Sequence, residues 1–196
     1  MIIAFEGIDK VGKNSQAKLL QENLKKQNVS STILEFPSKN SPVSSIIREI
    51  LKIESISNHG LALLFAADRY FQQNNIKKFS EQFDVVILDR YSDSGCCYAA
   101  ASGIDLEWLK GLEKFLQVVP NLTFFFNISP QETVDRVSKL PDKFENNYEF
   151  LKRVFEEYKN LYKENGRKSR KVVFLENGSI EEIGQKILRE VLNELD

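Results

Sequence analysis

The chain has 196 residues, of which 42% are apolar and 28% charged, and its formal net charge is −1. This length and balance favour one globular domain over residues 1–196. The small net charge argues against a globally basic nucleic-acid binder. No apolar run approaches the roughly 20 residues that a membrane-spanning helix needs. We therefore expect neither nucleic acid nor a membrane as a partner.

The cysteines and the start of the chain predict a cytoplasmic location. Cys96 and Cys97 are adjacent and are the only 2 cysteines, so no disulfide framework is expected. Glu6 and Asp9 interrupt the first apolar stretch, which is unlike a signal peptide.

Short apolar segments alternate with helical patterns along the chain. The segments that predict strands are Ile2–Phe5, Thr32–Phe36, Val85–Leu88, Leu122–Ile128 and Val172–Leu175. Ser129 with Glu132, and Ser179 with Glu182, have the spacing of capping boxes that begin helices. The alternation predicts an α/β fold with about five strands in a mostly parallel sheet and helices on both faces. Ligands bind such sheets beyond the carboxyl ends of the strands.

A glycine-rich loop follows the first predicted strand and precedes a helix. Gly7 and the Gly12-Lys13 pair have the Walker A spacing, which predicts nucleotide phosphate binding and a P-loop NTPase-type three-layer sandwich. Glycines let backbone N–H groups point at phosphate oxygens, and the lysine reaches the β and γ phosphates. The residues that we expect to bind the phosphates of ATP are Gly7, Ile8, Asp9, Lys10, Val11, Gly12, Lys13, Asn14 and Ser15.

The position after the loop lysine departs from the usual pattern. Asn14 stands where a serine or threonine normally ligates magnesium, and Ser15 follows it. The Asn14 carbonyl or the Ser15 hydroxyl can take that place. A water molecule can also take it, because magnesium keeps several waters. The sequence leaves these alternatives open.

A second motif ends the third predicted strand. Asp89 closes the apolar run that begins at Val85, and Arg90 follows it. The carboxylate is placed to hold magnesium, and the planar guanidinium of Arg90 suits an acceptor phosphate.

Several motifs together resemble the thymidylate kinase family over nearly the whole chain. They are Phe5-Glu6-Gly7-Ile8-Asp9 leading to Gly12-Lys13 and Gln16, then Phe36-Pro37, Leu64–Arg69, and Asp89-Arg90-Tyr91 followed by Ser94, Tyr98 and Ala99. The resemblance implies that the protein transfers a phosphate from ATP, with Mg²⁺, to thymidine 5′-monophosphate for dTTP biosynthesis. It also implies a homodimer.

The resemblance assigns roles to individual residues. Phe65 matches the aromatic that stacks on thymine, and Arg69 matches the arginine that hydrogen-bonds the base. Arg90 matches the acceptor-phosphate arginine, and Asp9 matches a carboxylate near the sugar 3′-hydroxyl. The other residues that it places at the nucleotides are Phe36, Lys39, Ser94 and Tyr98 for the acceptor and Asn177 for adenine.

The family supplies a catalytic cation from the phosphate loop or from a lid. Lys10 occupies the loop position, and Lys139 and Lys143 are the cations of the predicted lid, roughly residues 137–147. The catalytic residues that we expect are Lys13, Arg90, Lys10 and Asp9, with Lys143 as the alternative to Lys10. A lysine supplies charge without the bidentate fork of arginine.

Other functions remain compatible with these motifs. A P-loop kinase for another nucleoside monophosphate or for a deoxynucleoside shares the loop, and a nucleoside kinase would need a base such as Glu6 or Asp89. A catalytically weakened ATP-binding homologue is a further alternative because of Asn14. A GTPase switch is disfavoured because the chain has no Asn/Thr-Lys-x-Asp motif.

Overall fold

The computed structural model describes residues 1–39, 41–52, 57–135, 145–163 and 171–195. The strands are β1 (Ile2–Glu6), β2 (Ser31–Glu35), β3 (Val85–Asp89), β4 (Leu122–Phe126) and β5 (Lys171–Leu175). The described helices are α1 (Lys13–Lys26), α2 (Pro42–Ile50), α3 (Asn58–Phe71), α4 (Gln73–Gln82), α5 (Ser92–Ala101), α6 (Leu106–Glu113), α7 (Pro130–Asp135), α8 (Glu145–Lys163) and α9 (Ile180–Leu195).

The strands form one 5-stranded sheet in the order β2-β3-β1-β4-β5, and every pairing is parallel. This confirms the predicted α/β fold, and each predicted strand is present with ends that differ by one or two residues. The largest difference is at β4, which ends at Phe126 because Asn127 interrupts the apolar run before Ile128. There the chain leaves the sheet and Ser129 begins the approach to α7.

The sheet is buried because β1, β3 and β4 are apolar except for Glu6 and Asp89 at the carboxyl ends of β1 and β3 and Thr123 within β4. The residues of β3 and β4 are all buried, as are four of the five in β1. Strands covered on both faces need such continuous apolar runs. Aromatic side chains fill much of this core, with the Phe5 ring 5.5 Å from both Phe124 and Phe126.

Both predicted capping boxes are confirmed. The Glu132 carboxylate accepts from Ser129 N, and Glu132 N donates to the Ser129 hydroxyl. Ser179 and Glu182 exchange the same bonds at the start of α9. Among the described helices, none is long and apolar enough for a bilayer span.

The strand order places the phosphate loop at the point where the chain reverses direction across the sheet. From central β1 the chain reaches β2 and β3 on one side and β4 and β5 on the other. The loop after β1 therefore opens between the carboxyl ends of β3 and β4, where a parallel sheet binds its ligands.

Candidate active site

The phosphate loop has the backbone conformation that its glycines predict. Gly7 has φ 143°, which side chains rarely adopt, and a Cβ there would crowd the Phe126 carbonyl oxygen at 3.1 Å, so a larger residue would be strained. Gly12 has φ 96° and caps α1, whose first residue is Lys13. The first N–H groups of α1 thus border the loop and suit an anion.

Lys13 is held in a buried position inside this loop. Its side chain is 6% exposed, and its ammonium donates to the carbonyls of Gly7 at 3.1 Å and Ile8 at 2.5 Å. Burial, followed by the nearby charge of Arg90, lowers the pKa of Lys13 from 10.5 to about 7, although carboxylates including Asp89 oppose the change. A phosphate placed here would restore the charge of the lysine.

Arg90 gathers several predicted site residues around its guanidinium. It has φ 68° and donates through Nη1 to the Gly7 carbonyl at 2.9 Å and to Ser94 Oγ at 3.2 Å. Its Nη2 donates to Asp9 Oδ1 at 2.5 Å, and its Cζ lies 5.1 Å from the centre of the Tyr98 ring. Burial opposes its charge, but the surrounding tyrosines and carboxylates raise the pKa of Arg90. The structure therefore brings Asp9, Arg90, Ser94 and Tyr98 together.

Behind this cluster, Glu6 is fully enclosed and engaged in hydrogen bonds. Its Oε1 accepts from Tyr91 N at 2.9 Å, and its Oε2 accepts from Ser94 Oγ at 2.5 Å and from the Tyr158 hydroxyl at 3.1 Å. Tyr158 lies on α8 and is completely buried. Sequence reasoning missed Tyr158. The only available signal was the spacing of apolar residues along α8, which predicts burial but no role.

A cavity of about 480 Å³ opens beside the phosphate loop. Nearly all the acceptor residues that the sequence predicted line it, namely Asp9, Phe36, Phe65, Arg69, Arg90, Ser94 and Tyr98. Phe65 is partly exposed and lies outside the packed core. The cavity thus has arginines on its lining together with a broad apolar surface.

Lys39 is the predicted acceptor residue that does not line this cavity. Its side chain is 73% exposed, and its ammonium lies 2.6 Å from Glu35 Oε2. The salt bridge with Glu35, at the end of β2, leaves the Lys39 ammonium at the surface, and the acceptor-binding role of Lys39 stays a prediction.

The predicted metal residues lie beside the same carboxylate. Asn14 Nδ2 donates to Glu35 Oε1 at 3.1 Å, and the Asn14 amide also favours the charged form of the neighbouring Asp89 carboxyl. Glu35 and Asp89 are register partners at the carboxyl ends of β2 and β3. Burial, reinforced by Glu35 and opposed by Lys13 and Arg90, raises the pKa of Asp89. Sequence reasoning missed Glu35, because nothing in its own segment distinguishes it.

The remaining predicted residues lie around the edge of the site. Lys10 is exposed on the loop with φ 64°, and Asn177 is exposed in the turn between β5 and α9. Ser15 is an exposed residue in the first turn of α1. Lys139 and Lys143 of the predicted lid fall outside the described residues.

Comparison with known proteins agrees with this arrangement. The profile of the family described as thymidylate kinase matches residues 5–187. The chain is 33% identical to the thymidylate kinase of Plasmodium falciparum over 92% of this chain and 88% of the relative. It is 31% identical to the thymidylate kinase of Dictyostelium discoideum, over 95% and 82%. It is 34% identical to a probable thymidylate kinase of Sulfolobus acidocaldarius, over 85% and 84%.

Proposed function

The chain belongs to the thymidylate kinase family, and we propose that it transfers the γ-phosphate of ATP to thymidine 5′-monophosphate, as a step in dTTP biosynthesis. The observation that carries this proposal is the position of Lys13. It lies in a phosphate loop next to a cavity lined by Phe65, Arg69 and Arg90. Such a site holds two nucleotides with their phosphates meeting between them.

The donor side is formed by the phosphate loop and the start of α1. The loop amides and Lys13 hold the β and γ phosphates, and Lys10 provides a second cation at the transferred group. Asn177 lies at the end of β5, the strand next to β4, and we assign it to the adenine side.

The acceptor side is the cavity. Phe65 offers a ring for base stacking, and Arg69 a hydrogen-bond donor. Arg90 holds the acceptor phosphate, and Asp9, which contacts both Arg90 and Tyr98, faces the sugar. We retain Lys39 as an acceptor-phosphate residue that exchanges Glu35 for the phosphate, because both partners are anions and an exposed salt bridge adds little stability.

The residues beside the loop fit a magnesium ion. Asp89, Glu35 and the carbonyl of Asn14 provide oxygen ligands, which Mg²⁺ prefers, and Asp89 and Glu35 end neighbouring strands. A magnesium ion bound there would neutralise charge on the β and γ phosphates. To ligate it, the Asn14 side chain must turn its carbonyl toward the ion in place of the amide nitrogen that now faces Glu35.

The chemistry requires no strong base. The acceptor phosphate is anionic at neutral pH, so its oxygen attacks directly once it is aligned. Arg90 provides the alignment, while Lys13 and Lys10 balance the charge on the phosphoryl group in flight. Glu6 is a poor base for a neutral acceptor, because its oxygens are occupied by Tyr91, Ser94 and Tyr158.

We further propose one kinase domain, a cytoplasmic location and a homodimer. A single sheet that takes strands from residue 2 to residue 175 supports one domain. The two cysteines are both free thiols, which supports a reducing compartment. An exposed apolar stripe on α3, formed by Leu63, Ala67, Tyr70 and Phe71, supports a homodimer.

A coupled assay of ADP release over a panel of nucleoside monophosphates and deoxynucleosides tests the activity. We expect thymidylate to be the best acceptor and thymidine itself to be inactive. Phosphorylation of a deoxynucleoside would favour the alternative kinase class, and ATP binding without transfer to any acceptor would favour a catalytically weakened homologue.

A further inference from the structure

Arg69 on α3 is paired with an acid from another helix, Glu113 at the end of α6. The two side chains are buried, with Arg69 4% and Glu113 6% exposed. Arg69 Nε donates to Glu113 Oε2 at 3.1 Å, and Arg69 Nη2 donates to Glu113 Oε1. The pair is therefore bidentate, an arrangement that fixes the orientation of the guanidinium plane as well as its position.

This pairing determines which part of Arg69 is available to a ligand. Nε and Nη2 share one edge of the planar guanidinium, and Glu113 occupies that edge. Nη1 projects from the other side and makes no hydrogen bond to the described residues. Arg69 also lines the cavity with Phe65 and Gly95. Glu113 thus takes two of the five N–H groups of Arg69, and the two on Nη1 and the second on Nη2 remain, all of them donors only.

Gly95 on α5 lies directly against the guanidinium of Arg69. A Cβ at this position would lie 2.4 Å from Arg69 Nη2 and 2.7 Å from its Nη1 and Cζ. Real Cβ atoms do not approach so closely, and Glu113 prevents the guanidinium from moving aside. The absence of a side chain at Gly95 is therefore a condition for the observed position of Arg69.

The pair also sets the charge of this part of the cavity. The Glu113 carboxylate balances the charge of Arg69, and the surrounding lining is apolar, with Leu61, Phe65 and Ala99. An anion placed here would lose its hydration without meeting a net positive charge. A neutral ring with a carbonyl oxygen loses little hydration free energy there, and its oxygen accepts a hydrogen bond from Nη1.

We propose that Glu113 and Gly95 are positioning residues that present Arg69 Nη1 to a neutral carbonyl oxygen on the base of the acceptor. This deepens the proposed function, on which it rests. A pyrimidine with a 4-oxo group accepts from Nη1, whereas the 4-amino group of cytosine offers only another donor. Glu113 and Gly95 therefore support discrimination between thymidylate and deoxycytidylate, although Glu113 is not part of the cavity lining and Gly95 has no side chain.

The test compares Gly95→Ala and Glu113→Gln with the matched control Gly111→Ala. Gly111 is also helical, and a Cβ there meets nothing within 4 Å. KM and kcat are measured for ATP, thymidylate and deoxycytidylate, together with the melting temperature of each protein. Gly95→Ala keeps the test informative if Glu113→Gln does not fold, since alanine favours a helix more than glycine does.

We expect Gly95→Ala to raise KM for thymidylate by about 10- to 100-fold, the scale for a lost hydrogen bond to a charged group. KM for ATP should stay within about twofold, and the preference for thymidylate over deoxycytidylate should fall. Gly111→Ala should match the wild type. An unchanged KM for thymidylate and an unchanged preference in Gly95→Ala would overturn the proposal, as would losses that follow the melting temperature alone.

The wild-type panel separates this inference from the proposed function. If the wild type prefers another 4-oxo acceptor, thymidylate specificity fails, while an increased KM for that acceptor in Gly95→Ala still supports the positioning role. If the preferred acceptor has a 4-amino base, the proposal is overturned.

Discussion

At the level of single residues, the buried ammonium of Lys13 links nucleotide binding to protons. Its pKa of about 7 leaves the lysine mostly neutral at pH 8 in the free protein. The phosphates of ATP favour the charged form and so raise this pKa. We predict that ATP binding at pH 8 is accompanied by the uptake of about one proton per site. The affinity for ATP should fall as the pH rises above 7. Titration calorimetry in buffers of different ionisation enthalpy measures this uptake.

Lys13→Met is the control for that measurement and a prediction in itself. The variant should take up no proton and should lose at least about 100-fold in phosphoryl transfer, because a main cation at the transferred group is gone.

The folding stability of Lys13→Met should not fall, since methionine removes a buried charge. The wild-type pKa is lowered on folding, so the unfolded chain binds more protons between pH 7 and 10.5, and wild-type stability rises with pH across this window. Denaturant unfolding at several pH values should show that the rise is smaller in Lys13→Met.

Asn14 gives a further prediction at this scale. If its amide must turn away from Glu35 before it can ligate magnesium, a hydroxyl in its place should ligate more readily. We predict that Asn14→Thr lowers the magnesium concentration for half-maximal transfer by up to about tenfold. Binding of Mn²⁺ in the presence of ATP, followed by electron paramagnetic resonance, gives a readout independent of activity. Asn23→Thr, further along α1, is the control. Magnesium-activation and Mn²⁺-binding curves that superimpose for Asn14→Thr and wild type would show that Asn14 does not weaken the metal site.

At the level of elements, α8 is attached to the phosphate loop by one hydroxyl. Tyr158 OH lies 2.7 Å from Ser94 Oγ, 3.1 Å from Glu6 Oε2 and 3.4 Å from the Gly7 carbonyl oxygen. Its burial and the charge of Glu6 hold the pKa of Tyr158 well above its usual range, so the hydroxyl stays protonated and donates. This single group connects α8 to β1, the loop and α5.

Tyr158→Phe should therefore lower the free energy of unfolding by about 1–3 kcal/mol, because Glu6 loses a donor while it remains buried. For a chain of this length, that corresponds to a decrease of roughly 2–12 °C in melting temperature. Tyr148→Phe is the matched control on the same helix, since among the described residues its hydroxyl bonds Gln131, at the surface and 3.3 Å away. Equal melting temperatures for the two variants would contradict a structural role for the Tyr158 hydroxyl.

The separation along the chain between the two partners of a contact explains which features the sequence predicts. The phosphate loop and the capping boxes are recognisable because Gly7, Gly12, Ser129 and Ser179 act within a few residues of their partners. The Arg69–Glu113 pair spans 44 residues, Asn14–Glu35 spans 21 and Glu6–Tyr158 spans 152. Those pairings depend on how the helices pack over the sheet, so no local pattern indicates them.

Lys39 shows the opposite situation, in which a local motif predicts a role but not the position of the side chain. Its position after Phe36-Pro37 predicts an acceptor-phosphate residue, but the prediction took no account of Glu35 four residues earlier. In the folded chain the ammonium lies 2.6 Å from that carboxylate, and Lys39 is not part of the cavity lining. A motif position thus gives the role that a side chain can take, whereas its neighbours decide where it lies before the ligand binds.

At the scale of the whole molecule, α3 connects the acceptor cavity with an exposed apolar surface. Phe65 and Arg69 line the cavity, while Leu63 and Phe71 face outward with exposures of 48% and 56%. A stripe on one helix suits an isologous interface, in which the same surface of two copies meets across a twofold axis. Dimer formation would then restrain the helix that holds the acceptor base.

We predict that Phe71→Glu converts the proposed dimer to a monomer and raises KM for the acceptor more than KM for ATP. A carboxylate at the centre of an apolar contact would be repeated by symmetry, so two like charges would be buried together. Ile180→Glu is the control, because Ile180 is 58% exposed at the start of α9, a helix that packs against α1. Sedimentation velocity at micromolar concentration measures the assembly, and the coupled assay measures the two KM values. A wild-type monomer would exclude the dimer, and a Phe71→Glu dimer would place its interface on another surface. A Phe71→Glu monomer with an unchanged acceptor KM would show that α3 holds the acceptor base without support from a second subunit.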